Sequence, residues 1–182
     1  MRKLTVFLTF LGVCVTGVIM SAHAGDVPAT TTTADTKTAA AGIDWLTYDE
    51  GIAKAKETGK PLVIDFYTDW CGYCKKMDRE TFHDPKVVEY MKQNFISVRV
   101  NGESQKMVSH KGEQLSERSL TKSFRVTGFP TFWFLDSAGE PIGPAPGYKP
   151  TGSWLTLLEY VGGSHYKKMS FDTFVKSKTA DG

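Results

Sequence analysis

Cys71 and Cys74 are the residues of this 182-residue chain best suited to chemistry. They stand in the run Trp70-Cys71-Gly72-Tyr73-Cys74, where an apolar stretch, Leu62-Val63-Ile64-Asp65-Phe66-Tyr67, gives way to a helical pattern. A Cys-x-x-Cys at a strand-to-helix junction puts its first sulfur at a helix N-terminus. Unpaired N–H groups and the positive end of the helix dipole stabilise a thiolate there. The second sulfur follows one turn later, close enough to attack a mixed disulfide held by the first. A structural staple is a poor account of this spacing, because so small a loop removes little unfolded-state entropy. The pattern therefore reads as a redox site, with Cys71 the attacking thiol and Cys74 the more buried, resolving one. Asp65 lies inside the apolar strand, where desolvation raises the pKa of a carboxyl group.

The elements that must position these residues begin well into the chain. Met1-Arg2-Lys3 is a short basic start, Leu4 to Met20 is mostly apolar, and Ala22-His23-Ala24 fits a small-x-small cleavage site. Residues 1–24 thus read as a secretory signal, and Cys14 as part of its apolar core. An uncleaved membrane anchor is the alternative. Residues 25–42 are rich in Thr and Ala without large apolar side chains, as in a flexible tether. Residues 43–182 remain as one domain with a core of its own. Without Arg2 and Lys3, the 22 basic residues fall to the same number as the 20 acidic ones. With no basic run interleaved with aromatics, a nucleic-acid partner is excluded.

Within the domain, Thr47-Tyr48-Asp49-Glu50 has capping-box form and predicts a helix to about Thr58, stopped by Gly59. Leu62 to Thr68 reads as a central strand. A helix from Cys71 to about Thr81 follows, then one opened by Asp84-Pro85, and a strand over Phe95 to Val100. Asn101 to Gln114 is polar and turn-rich, a surface loop by composition. Next come a short helix carrying Leu115, Leu120 and Phe124, and a strand over Phe132 to Leu135 with a hairpin turn at Ser137-Ala138-Gly139-Glu140. Gly143-Pro144-Ala145-Pro146-Gly147 is expected to break the last strand. Helices over about Thr151 to Val161 and Phe171 to Lys176 close the chain. Strands alternating with helices and ending in a hairpin predict an α/β fold, a mixed central sheet flanked by helices.

Val63-Ile64-Asp65-Phe66, the Cys71–Cys74 motif, Phe129-Pro130-Thr131 and Gly147, in that order, resemble the thioredoxin superfamily. The resemblance spans about Trp45 to Val161. Cys74-Lys75-Lys76-Met77, Thr81-Phe82 and Asp84-Pro85-Lys86-Val87 are similar to its exported branch. That branch includes the C-terminal domain of the membrane disulfide reductase DsbD and the SoxW-type periplasmic thioredoxins. The likeness implies a thioredoxin-like fold and a proton exchanged between Asp65 and Cys74. It also implies a cis bond at Pro130, which turns the backbone of Phe129 towards the sulfur so that an extended substrate can pair with it beside Trp70. Two departures stand out: Gly72-Tyr73 replaces the Gly-Pro of thioredoxin, and the stretch from Asn101 to Leu115 is longer than the thioredoxin minimum.

The signal segment together with the resemblance implies a periplasmic enzyme, expected to be a monomer, that reduces disulfides in exported proteins. Electrons would come from a membrane or periplasmic donor, because no flavin or nicotinamide fingerprint is present and no cofactor is expected. Superfamily potentials span about 150 mV, or about 7 kcal/mol, so direction is a thermodynamic matter. Gly72-Tyr73 supplies no histidine beside the nucleophile, which favours reductase over oxidase or isomerase. A Cu(I) carrier is the rival from another class. Soft thiolates suit that ion, but Met77 is the best third ligand on offer, and no metal site is expected. An adaptor with a vestigial site is disfavoured by intact Asp65 and Pro130. Lys75 and Lys76 read as a solvated helix face, with Lys75 the better placed to favour a Cys71 thiolate. His83, His110 and His165 read as surface residues. Phe82, Phe95, Phe132, Trp133 and Phe134 are core candidates.

Overall fold

The computed structural model describes residues 42–180, so the expected signal segment, Cys14 and nearly all of the expected tether lie outside the described residues. Helix α1 (Tyr48–Thr58) starts as its capping box requires, the Glu50 carboxylate accepting the Thr47 N–H at 3.0 Å. Gly59 ends it at φ 71°, a left-handed conformation that glycine adopts without penalty. Strand β1 (Leu62–Tyr67) leads to α2 (Gly72–Glu80). Helix α3 (Pro85–Asn94) opens with Asp84 accepting the Lys86 N–H and proline in the first turn. Then follow β2 (Ile96–Asn101), β3 (Met107–His110), β4 (Glu113–Ser116), α4 (Glu117–Ser123), β5 (Thr131–Leu135) and β6 (Pro141–Pro146). Helix α5 (Thr151–Gly162), a 3₁₀ turn (His165–Lys167) and α6 (Phe171–Ala180) complete the order.

The central sheet runs β2-β1-β5-β6, with β1 parallel to β2 and antiparallel to β5, and β6 antiparallel to β5. Mixed pairing and flanking helices are the expected α/β architecture. Successive side chains of a strand point to opposite faces, and β1 divides its residues accordingly. Val63 joins Met77, Phe82, Phe132, Phe134 and Trp154 in one core. Leu62, Ile64 and Phe66 join Tyr48, Val98, Val100 and Leu120 in the other. Gly51 lets α1 lie close on β2: a Cβ there would sit 2.1 Å from Val98 Cγ2.

Four expectations are corrected. Residues 101–114 are not all loop, since β3 and β4 form a separate two-stranded antiparallel sheet turned by Lys111-Gly112, both with positive φ. Leu115 belongs to β4 rather than to the short helix, which begins at Glu117. Composition hid this hairpin because its four-residue strands are mostly exposed and only Val108 is buried. Nor do Pro144 and Pro146 break β6. It is the edge strand, where a residue without an N–H can turn its empty position away from the ladder. Helix α6 also reaches Ala180, beyond the expected Lys176.

Candidate active site

Cys71 and Cys74 are joined in a disulfide with their Cα atoms 5.3 Å apart. Cys71 is the N-cap of α2, and its Sγ accepts the N–H of Cys74 at 3.0 Å. The Cys71 sulfur therefore sits at the start of the helix, among its first free amides, as the spacing predicted. Burial does not separate the two residues, which are 3% and 4% exposed, contrary to the expectation that Cys71 is the open one. With both sulfurs in one bond at the head of α2, the asymmetry between them is positional: only Cys71 is the cap. Trp70 beside it is 66% exposed.

Asp65 is buried on β1, directly opposite Arg99 in the parallel ladder with β2. Arg99 Nε donates to Asp65 Oδ2 at 3.0 Å, and Arg99 also holds Asp78 through a second, short charge-assisted bond. Asp78 is on α2, one turn after Cys74, so the guanidinium ties the buried carboxylate to the helix that carries both cysteines. Arg99 Cζ lies 4.4 Å from the centre of the Trp45 ring and 5.2 Å from that of Tyr67, and these rings pack around the cation. Burial pushes the Asp65 carboxyl up to about 6, and Arg99 limits the rise. Among the described residues Asp65 Oδ1 and Thr68 Oγ1 are buried without a hydrogen-bond partner, while the Thr68 carbonyl accepts the Cys71 N–H. Arg99 escaped the sequence reading. Its signal was a lone cation in the apolar run of β2, complementary to a lone acid in the apolar run of β1.

Pro130 follows a cis peptide bond, as the resemblance implied. Phe129 N–H and C=O make no backbone hydrogen bond among the described residues. The Phe129 ring meets Trp70 edge-on at 6.2 Å between centroids, which brings the cis-proline loop against the head of α2. Gly102 backs that ring, for a Cβ there would lie 2.4 Å from Phe129 Cζ.

Lys75 is exposed, but Lys76 is not simply solvated: its Nζ lies 4.5 Å from the centre of the Tyr148 ring and pairs with Glu80. His110 is not a plain surface residue either. Its Nδ1 is 2.6 Å from the Tyr48 hydroxyl and its ring packs on Phe124. His165 packs against Phe174, while His83 is exposed as expected. Phe82, Phe95, Phe132 and Phe134 are core residues, and Trp133 is half-buried against the second core.

Residues 48–162 match the thioredoxin-like domain family. The chain belongs to that family. Among its curated relatives is the thiol:disulfide interchange protein DsbD of Vibrio vulnificus, 36% identical over 94 residues, which are 52% of this chain and 14% of that protein. The chain thus spans about one seventh of the length of this relative. Among solved structures it is similar to a thioredoxin from Thermus thermophilus, with TM-score 0.54 and 28% identity over 66% of this chain and 87% of that one. A thioredoxin-fold protein from Helicobacter pylori superimposes with TM-score 0.59 at 24% identity, covering 68% and 87%, a likeness of fold. In a thioredoxin-like domain related to DsbD, a cysteine pair at bonding distance at the head of α2 supports thiol–disulfide exchange.

Proposed function

We propose that this protein is a periplasmic thiol–disulfide oxidoreductase that reduces disulfides in exported proteins. The observation that carries the reading is the Cys71–Cys74 disulfide at the N-cap of α2, with a buried carboxylate on β1 clamped to the same helix. In the reduced protein, the Cys71 thiolate attacks a substrate disulfide and expels one substrate sulfur as a thiolate, which takes up a proton. Cys74 gives its proton to Asp65 and attacks Cys71 Sγ, releasing the second substrate thiolate. Two electrons pass to the substrate, and the Cys71–Cys74 disulfide remains. A membrane or periplasmic dithiol donor then restores the thiols. Trp70, Phe129 and Pro130 frame the groove in which an extended substrate lies. Residues 1–24 direct export, residues 25–42 tether the domain, and residues 43–182 act as a monomer.

Cys74→Ser keeps the nucleophile but removes the resolving step. Expressed in cells, it should accumulate reductant-sensitive covalent adducts with exported proteins, whereas Cys71→Ser should not. A Cu(I) carrier would lose bound metal equally in both variants, since each supplies one of two equivalent ligands. Non-reducing gels without adducts for Cys74→Ser, together with equal copper loss, would overturn the oxidoreductase reading. Equilibration of the wild-type protein with glutathione fixes the direction, and a potential as oxidising as DsbA, about −120 mV, would contradict a reductase.

A further inference from the structure

Two aromatic pairs flank the head of α2. Trp70 and Phe129 form one. The other is Tyr73, which is 64% exposed, and Tyr148, whose ring centroids are 6.5 Å apart. Trp70 and Tyr73 are two of the three exposed large hydrophobic side chains among the described residues, the third being Met107 on the β3–β4 hairpin. Between them Gly72 leaves open space, since a Cβ there would meet nothing within 4 Å.

Tyr148 is held from several directions. Its hydroxyl donates to Glu80 Oε2 at 2.7 Å, and the Lys76 ammonium covers its ring while pairing with the same carboxylate at 3.8 Å. Thr81 Oγ1 donates to the Lys149 carbonyl at 2.8 Å, and Thr151 Oγ1 to the Glu80 carbonyl at 3.1 Å. These bonds fasten the turn after β6 to the C-terminal end of α2. From the other side, Gly147 at φ 79° donates its N–H to the Pro130 carbonyl at 2.8 Å. The Tyr148 turn is therefore tied at once to the cysteine helix and to the cis-proline loop. A ring fixed before binding loses little conformational entropy on contact. The Lys76 charge is already engaged by Glu80 and the ring, so this wall offers a partner apolar area rather than a cation.

Resting on the oxidoreductase reading above, we infer that Tyr148, together with Tyr73, determines specificity. The two rings form an aromatic wall that selects extended polypeptide segments with an aromatic or aliphatic residue next to the attacked cysteine. The wall acts on docking and leaves the exchange chemistry to the two cysteines.

The test uses the full chain, pre-reduced and freed of reductant, mixed in single-turnover stopped flow with three disulfides. Two are peptides identical except for Phe or Asp beside the cysteine, and the third is hydroxyethyl disulfide. The wild-type protein should reduce the Phe peptide about tenfold faster than the Asp peptide at sub-saturating concentration. Tyr148→Ala and Tyr73→Ala should each bring that ratio towards one. Tyr148→Phe, which keeps the ring and loses only the bond to Glu80, should retain most of it. A ratio between two peptides is insensitive to a general loss of folded protein. Equal wild-type rates on the two peptides, or a ratio that survives Tyr148→Ala, would overturn the inference and leave the oxidoreductase standing. Failure of the wild-type dithiol to reduce any of the three disulfides would remove the oxidoreductase and this inference with it.

Discussion

Arg99 serves two carboxylates, and the titration of Asp65 follows from that geometry. The Asp65 carboxyl stands at about 6 in the fold, against an ordinary 3.8. Between those values the folded protein keeps a proton that the unfolded chain gives up. Asp65 therefore adds stability that is fully present below the lower value and lost as pH rises through the upper one. Asp65→Asn removes that slope, so its denaturant midpoint relative to wild type should rise from about pH 4 to about pH 7. A constant difference would show that Asp65 titrates normally. The same variant should slow resolution of the mixed disulfide near neutral pH, which stopped flow reads directly. Arg99→Met takes away the counter-charge and leaves burial unopposed, so the Asp65 carboxyl should move further up. An NMR titration of that carboxyl checks the direction, and a downward shift would refute the role of Arg99. Lysine is a poor substitute, because one point charge cannot reproduce the fork that meets both acids.

At the scale of elements, α1 on β2 shows packing overruling propensity. Gly51 is an unfavourable residue inside a helix, and alanine there would gain about 1 kcal/mol by propensity. However, the added Cβ would stand 2.1 Å from Val98 Cγ2, within a buried contact. Overpacking of this kind costs about 1–3 kcal/mol, so Gly51→Ala should lower stability by about 1 kcal/mol net. Urea denaturation measures it, and a stabilised variant would show that α1 moves freely. The β3–β4 hairpin is joined to the same helix by the Tyr48–His110 contact and by the Ser109 N–H donating to Asp49 Oδ1 at 2.8 Å. The stretch between β2 and α4 is thus a built element fastened to α1.

Across the whole molecule, the sheet manages its two edges differently. The β2 edge receives Leu46, whose N–H donates to the Ser97 carbonyl and whose carbonyl accepts the Arg99 N–H. The β6 edge carries Pro141, Pro144 and Pro146, which blunt it as a template for another strand. The family match ends at residue 162, but the chain goes on to pack α6 against α5. Phe174 is buried there between Tyr160 and His165. Phe174→Ala should cost roughly 3 kcal/mol by leaving a cavity. Thermal denaturation should show the loss, while the glutathione equilibrium of Cys71–Cys74 stays at the wild-type value. A shifted equilibrium would mean that the C-terminal extension bears on the redox site.

The sequence by itself determined the periodic and the local. Capping box, stop glycine, the Asp84-Pro85 start and the apolar β1 each place an element from neighbours within a few residues. The Cys-x-x-Cys spacing likewise located the sulfurs at a helix start. Tertiary structure decided what depends on residues far apart in the chain. Arg99 meets Asp65 across 34 positions, Tyr148 meets Glu80 across 68, and Tyr48 meets His110 across 62. Local composition also misjudged β3, β4 and β6, because short exposed strands lack an apolar stripe and a proline is harmless only at a sheet edge. Which strand forms that edge is settled by the pairing order of the whole sheet, and no window of the sequence contains it.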